Sequence, residues 1–195
     1  INLKLSKSNL NNLVLLTLVF ICLFATIKYH IRFNENRKFH ELSYVNFESS
    51  LHGKEIDKKF LGLKWITPEY KDRPDEEIIL INKIKSHLSS DDRTKMLWTN
   101  YSFFSSILNE KLFSPSRWHI FDGTDYPLKG NKHFVSYKNL LIKLIKNNNI
   151  EVIYTIYPVK SSLIYTYLDK NCFTEIKISN MLNSYELKNC YKIND

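Results

Sequence analysis

The chain has few of the residues that build tight catalytic loops. Glycine occurs at four of its 195 positions and proline at five. Phosphate-binding P-loops, dinucleotide-binding turns and the nucleophile elbow of serine hydrolases all need glycines at fixed spacing, and the sequence contains none of these motifs. The six histidines are scattered without the paired spacing of zinc ligands. These absences argue against nucleotide-binding, serine-hydrolase and zinc-enzyme functions.

The positive charge of the chain lacks the pattern of a nucleic-acid-binding protein. The formal net charge is +8 and the isoelectric point is near 9.2. The basic residues are mostly lysine, and they alternate with acids, as in the stretch 54–59. No zinc-finger, basic-zipper or RNA-recognition signature is present. We therefore interpret the lysines as solvated surface residues and predict no nucleic-acid partner.

Cysteine is scarce, and its three positions differ in context. Cys22 lies in an apolar run, where a thiol acts as a small packing residue. Cys172 and Cys190 flank two β-like runs, and a hairpin turning near Met181 would bring them together. A disulfide between them would indicate an oxidising compartment. Two buried free thiols are the alternative, and the sequence leaves both open.

One long segment lacks charge altogether. Residues 8–27 are uncharged and are flanked by Lys7 and Lys28. At about 1.5 Å per helical residue, this run is long enough to cross a hydrocarbon core of roughly 30 Å. A signal peptide fits poorly, because no small-x-small cleavage site follows the run. A buried core helix is the remaining alternative, and we predict a transmembrane helix over 8–27.

The flanking charges and the first residue give further hints about the arrangement in the membrane. More basic residues follow the span than precede it, which by the positive-inside tendency places the following domain in the cytoplasm. Earlier spans, if present, would override this tendency. The chain begins with Ile1 rather than Met, and we expect it to be a fragment or a processed product.

The remaining residues predict a connector and one soluble domain. We assign 28–73 to a juxtamembrane connector and 74–195 to the domain. Helical periodicity begins at Pro74 and Phe103 and recurs over 134–145 and 161–168, whereas strands are predicted at 95–99, 117–121, 150–157, 174–178 and 185–188. Alternating helices and strands favour a small three-layer α/β domain with a largely parallel sheet, to which the last strand pair adds an antiparallel edge.

The best candidate site is the loop that follows the predicted strand 117–121. Asp122 and Asp125 would lie at the carboxyl end of that strand, where open α/β sheets usually bind ligands. With Arg117, His119 and Lys129 nearby, the loop could hold a divalent cation or a phosphate. The competing interpretation is a tight turn, because aspartate and glycine also favour turns for local reasons. No metal ligand set is predicted.

Three segments together carry a resemblance to a known group of proteins. They are Lys28–Glu35, the stretch Gly62–Pro68 and the stretch Phe121–Lys132. The chain resembles the C-terminal end of certain polytopic bacterial inner-membrane proteins that are similar to glycosyltransferases of the GT-C type. The resemblance covers nearly the whole chain.

The resemblance implies a glycosyltransferase whose catalytic residues lie outside this chain. It implies a polyprenyl-phosphate-linked sugar donor, a glycan acceptor and transfer on the periplasmic face. The catalytic acid of such enzymes lies in an early loop, so no catalytic residue is carried over to this chain. Residues 8–27 would be the last span in the bacterial inner membrane, and the domain would either shape acceptor binding or stabilise the membrane part. The alternative is a single-span, membrane-anchored α/β domain that binds or scaffolds partners without catalysis.

Overall fold

The computed structural model describes residues 7–31, 42, 44–119 and 125–191. The chain divides into two compact units, Ile1–Val45 and Asn46–Asp195. Residues 46–73, which the sequence analysis assigns to the connector, belong to the second unit.

The first unit contains one long helix, α1 (Lys7–His30). Its part Asn11–His30 has a mean hydropathy of 2.0 and is long and apolar enough to cross a membrane. The hydroxyls of Thr17 and Thr26 are satisfied within the helix, since they donate to the carbonyl oxygens of Leu13 and Cys22. The predicted apolar helix is present, and the side chains of Asn11–His30 are almost all exposed.

The second unit begins with a small hairpin and continues with helices and a four-stranded sheet. In chain order its elements are β1 (Leu51–His52), β2 (Lys64–Trp65), α2 (Pro74–Ser89), β3 (Lys95–Trp98), α3 (Phe104–Leu108), α4 (Phe134–Asn147), β4 (Val152–Ile156), α5 (Ser162–Tyr167), β5 (Phe173–Lys177) and β6 (Leu182–Leu187). Pro74 at the start of α2 and three acids in its first turn suit the positive end of the helix dipole.

The large sheet is mixed, with the strand order β3-β4-β6-β5. β3 and β4 are parallel, whereas β4–β6 and β6–β5 are antiparallel. The prediction of a largely parallel sheet is therefore not confirmed. The reason is that β6 inserts beside β4, so the C-terminal hairpin contributes two of the three pairings instead of one antiparallel edge.

Phe113 occupies the outer edge of β3. Its carbonyl oxygen accepts from the Leu97 amide at 2.7 Å, and its own amide donates to the Lys95 carbonyl oxygen at 3.3 Å. These two backbone groups of β3 are thus already bonded. Of the predicted strand 117–121, residues 117–119 are not in a strand, and Ile120 and Phe121 lie outside the described residues.

Two hydrophobic clusters form the core, and the strands contribute alternate residues to them. Val152, Tyr154 and Ile156 belong to one cluster with residues of α2 and α3. Ile153 belongs to the other, with residues of α4 and α5. Because successive side chains of a strand point to opposite faces, the two clusters contact opposite faces of β4.

The C-terminal hairpin carries the two cysteines that follow α1. Short 3-10 turns at Lys170–Cys172 and Asn189–Tyr191 precede β5 and follow β6. The Lys188 amide donates to the Cys172 carbonyl oxygen at 2.9 Å, which holds the two ends of the hairpin together. Cys172 and Cys190 are joined by a disulfide, with their Cα atoms 5.5 Å apart.

Candidate functional site

The candidate site lies at the carboxyl ends of the parallel strands β3 and β4. Thr99, Asn100 and Tyr101 follow β3, and Tyr157 follows β4. Loops at the carboxyl ends of parallel strands are the usual location of ligands in open α/β sheets, because they meet at one edge. The loop after β3 holds one of the residues that the sequence singled out, His119.

His119 lies buried beside the end of β3. The side-chain oxygen of Asn100 accepts the His119 backbone amide at 2.8 Å, which fixes the chain at this point. The imidazole stacks on Trp98, with ring centroids 5.7 Å apart, and lies 6.1 Å from the Tyr126 ring. Asn100 therefore anchors the segment that contains His119.

Burial decides the charge state of His119. The side chain is 2% exposed, and this burial lowers its pKa to about 4, although the Thr99 backbone and the Asp125 carboxylate favour the charged form. The imidazole is thus neutral at physiological pH. Neither ring nitrogen meets the geometry of a hydrogen bond with a described residue.

The other predicted site residues occupy separate places. Asp122 lies outside the described residues. Asp125 is half-buried, and its carbonyl oxygen accepts from the Ser116 hydroxyl at 3.1 Å. Arg117 is exposed, with its guanidinium 5.9 Å from the Trp118 ring, and Lys129 is exposed on a turn. The structure places Asp125 and Arg117 in different cavities and does not gather the predicted residues around one point.

The first cavity is small and rich in hydroxyl groups. It has a volume of about 80 Å³, and the polar groups that line it are the side chains of Thr99, Ser102, Ser105, Ser114, Ser116 and Arg117. A guanidinium beside several hydroxyls suits one small anion or a few waters.

The second cavity is a wider groove between the segment 125–133 and α4, which we call the α4 groove. Its volume is about 360 Å³, within the range of small-molecule sites. Its lining combines one carboxylate, one amide, one imidazole, one serine hydroxyl and two phenols with apolar surface; the residues are Asp125, Tyr126, Pro127, Asn131, His133, Ser136, Tyr137 and Leu140. Such a mixture of hydrogen-bonding groups and aromatic rings suits a neutral, polyhydroxylated ligand.

Aromatic packing shapes the floor of the α4 groove. The Tyr137 ring lies 5.1 Å from the Tyr167 ring of α5, and the Tyr126 ring meets Tyr167 edge to face. The Tyr167 hydroxyl donates to the Pro127 carbonyl oxygen. Burial raises the pKa of Tyr137, so it is a neutral phenol in the groove. These contacts fix the positions of Tyr126, Pro127 and Tyr137, which line the groove.

Glu77 forms a second polar centre that the sequence analysis missed. Its carboxylate is fully buried and accepts three hydrogen bonds: from Trp65 Nε1 and Thr67 Oγ1 at 3.0 Å each, and from the Tyr101 hydroxyl at 2.7 Å. Burial raises the pKa of this carboxyl, although the three hydrogen bonds favour its charged form.

A signal for Glu77 was present in the sequence. Its spacing to Ile81, Ile84 and Leu88 follows the helical repeat, so it lies on the buried stripe of α2. An acid on such a stripe requires polar partners.

Asp91 forms the centre of a third polar network, which lies before β3. Arg93 pairs with its carboxylate at 2.9 Å and with Glu186 of β6 at 2.8 Å. The Tyr154 hydroxyl donates to Asp91 at 2.6 Å. Burial opposes the charge of Asp91, but the hydrogen bonds from Arg93 and Tyr154 prevail and lower its pKa to about 2. This network joins the segment before β3 to β4 and β6 and has a structural role.

Comparison of the chain with protein-family models, curated proteins and solved structures finds no match. Within the described ranges, no group of three or more histidine, cysteine, aspartate or glutamate side chains is arranged to hold a metal ion. The functional argument therefore rests on the helix α1, the disulfide and the α4 groove.

Proposed function

We propose that this chain is the C-terminal span and soluble domain of a membrane glycosyltransferase that uses a polyprenyl-phosphate-linked sugar. The catalytic part would lie outside these residues. The observation that carries the proposal is the order of elements: an apolar helix of membrane-spanning length, α1, precedes an α/β unit that contains a disulfide. Disulfides persist in oxidising compartments, which favours the periplasmic side of a bacterial inner membrane for the unit.

The α4 groove supports a role of this unit in acceptor binding. Its volume and its mixed polar and aromatic lining suit part of a glycan chain. His133 and Ser136 are exposed on its rim, so their hydrogen-bonding groups are accessible. The two core clusters on opposite faces of β4 also support a three-layer arrangement of the unit, with the groove on the α4 side.

A transfer assay on the product of the complete reading frame tests this proposal. The purified protein is reconstituted in vesicles with a polyprenyl-phosphate sugar and a glycan acceptor. We expect transfer, and we expect the double substitution His133→Ala, Ser136→Ala to raise KM for the acceptor roughly tenfold, since two hydrogen bonds are lost. The turnover number should change little.

Asn139→Ala is the matched control, because Asn139 is exposed on the same helix but does not line the groove. We expect it to leave KM unchanged. Absence of transfer with every donor would contradict the glycosyltransferase proposal. If transfer occurs and the double substitution leaves KM unchanged, the chain is part of a glycosyltransferase but the α4 groove does not bind the acceptor.

The second candidate function is a single-span, membrane-anchored α/β domain that binds or scaffolds a partner. The same α4 groove favours it, since a groove with several hydrogen-bonding groups binds ligands without any catalytic partner. In that case the product of the complete reading frame shows no transfer. The double substitution at His133 and Ser136 should then weaken glycan binding, which calorimetry measures. The transfer assay separates the two candidates.

A further inference from the structure

The connection between β1 and β2 ends in a well-defined turn that carries two exposed leucines, Leu61 and Leu63, directly before β2. The Leu63 amide donates to the Phe60 carbonyl oxygen at 3.0 Å. Leu61 has φ −56° and ψ 131°, and Gly62 has φ +85°. These values define a type II turn, whose third position requires a left-handed conformation and hence favours glycine. The leucines are 76% and 57% exposed.

The packing beneath the turn keeps both leucines pointing outward. Phe60 occupies the inward position, with its ring 5.2 Å from Phe103 and 6.5 Å from Trp65. A Cβ atom at Gly53 would lie 3.0 Å from the Phe60 Cβ, so the two arms of the hairpin are already in close contact. The inward space is filled, and the leucines cannot be buried within the unit.

Positive charge surrounds these leucines. The stretch 54–64 contains four lysines against the acids Glu55 and Asp57. Asp57 is paired with Lys85 at 2.5 Å, which neutralises it. Lys59 bonds to the Asn109 side chain, whereas Lys54, Lys58 and Lys64 are exposed. Aliphatic side chains projecting from a lysine-rich turn have the chemistry that binds the headgroup and outer acyl region of an anionic bilayer.

Chain connectivity tethers this turn to the helix α1, which would cross the membrane. About 15 residues separate Ile31 from Asn46. A tether of this length gives the turn a high effective concentration at the bilayer surface.

We propose that the segment 60–64 is a membrane-docking turn: Leu61 and Leu63 insert into the interface of an anionic bilayer, and Lys58 and Lys64 contact lipid phosphates. Docking fixes the second unit at the membrane surface in addition to α1. The proposal rests on α1 spanning the bilayer and is independent of any transferase activity.

Site-directed spin labelling of the full chain tests the proposal. The label is placed at Leu61→Cys in a Cys22→Ser background, and the protein is reconstituted in vesicles of phosphatidylcholine with about 30% phosphatidylglycerol. We expect the label to collide more often with lipid-soluble oxygen than with a water-soluble nickel complex. Val135→Cys is the matched control, because Val135 is an aliphatic residue of 66% exposure outside the turn. The label at position 135 should collide more often with the nickel complex than with oxygen.

The role of charge is tested in the same preparation. Lys58→Gln with Lys64→Gln should reduce the docked fraction in anionic vesicles, by roughly fivefold in the docking equilibrium for each lysine. In pure phosphatidylcholine vesicles the same substitutions should have little effect. An equal effect in both lipids would contradict the lysine contacts.

A label on Cys22, the free cysteine of α1, distinguishes failure of docking from failure of the span. Oxygen access at Cys22 together with nickel access at position 61 overturns docking while α1 remains in the bilayer. Nickel access at both positions overturns the span as well. Dipolar broadening between labels at position 61 would assign the turn to contact with a second copy of the chain, which also overturns membrane docking.

Discussion

The Tyr101 hydroxyl donates a 2.7 Å hydrogen bond to the Glu77 carboxylate, and this bond joins the loop after β3 to the first turn of α2. Trp65 and Thr67 bond to the other carboxylate oxygen. One buried acid thus fixes the hairpin, the helix and the candidate site loop in their relative positions within the second unit.

Removal of the Tyr101 hydroxyl should weaken this connection. We expect Tyr101→Phe to lower the free energy of unfolding of the second unit by about 2 kcal/mol, because a hydrogen bond to a buried charged group is lost. The measurement is urea denaturation of the full chain in detergent, followed by near-ultraviolet circular dichroism. Tyr157→Phe is the control, since Tyr157 is 46% exposed, and it should change the value by less than about 0.5 kcal/mol. Equal effects of the two substitutions would contradict the account.

The raised pKa of Glu77 predicts a pH dependence of stability. An acid whose pKa is higher in the folded than in the unfolded state binds protons more strongly when folded. Stability should therefore fall as the pH rises from the ordinary glutamate value to the raised one, and then level off. The test compares the free energy of unfolding of the wild type and of Glu77→Gln across this range. The difference between their curves should have the stated slope, and parallel curves would refute a raised pKa.

Asp91 predicts the opposite dependence in a more acidic range. Its pKa is lowered from 3.8 to about 2, so the folded state favours the carboxylate. The contribution to stability is complete above pH 4 and is lost as the pH falls through about 2. The lowered pKa corresponds to a contribution of about 2 kcal/mol. Solvent screening reduces this contribution little, because the side chain is only 10% exposed.

Asp91→Asn should remove this acid-sensitive component of the unfolding free energy. Asp92→Asn, at the neighbouring exposed position, is the matched control and should retain the component. If the wild type and Asp91→Asn lose stability equally between pH 4 and 2, the ion pair with Arg93 does not determine the titration.

The outcome for Glu77 and for the sheet indicates what sequence reasoning can reach. The helices near 74, 103, 134 and 161 were predicted from apolar periodicity, because that pattern is local. The position of β6 beside β4 is a pairing between strands 26 or more residues apart, and no local pattern encodes it. The pairing of Phe113 with Met96 of β3 likewise joins residues that are distant in the sequence. The α4 groove combines residues from a loop and a helix and has no motif.

The disulfide predicts both a stability and a location. Cys172→Ser should lower the free energy of unfolding by about 3 kcal/mol, because the bond closes a loop of 18 residues and restricts the unfolded chain. Cys22→Ser is the control and should have little effect. Maleimide labelling of protein taken directly from native membranes, with and without prior reduction, measures pairing in the cell. Labelling of Cys172 and Cys190 without reduction would contradict the periplasmic location.

The most direct measurement is the sequence of the reading frame upstream of Ile1. The account predicts that it encodes several further apolar spans, with an acidic pair in an early loop between them. Such a frame would make α1 the last span of a polytopic transferase. A frame that opens with a methionine immediately before Ile1 would contradict the glycosyltransferase proposal and leave a single-span anchored domain.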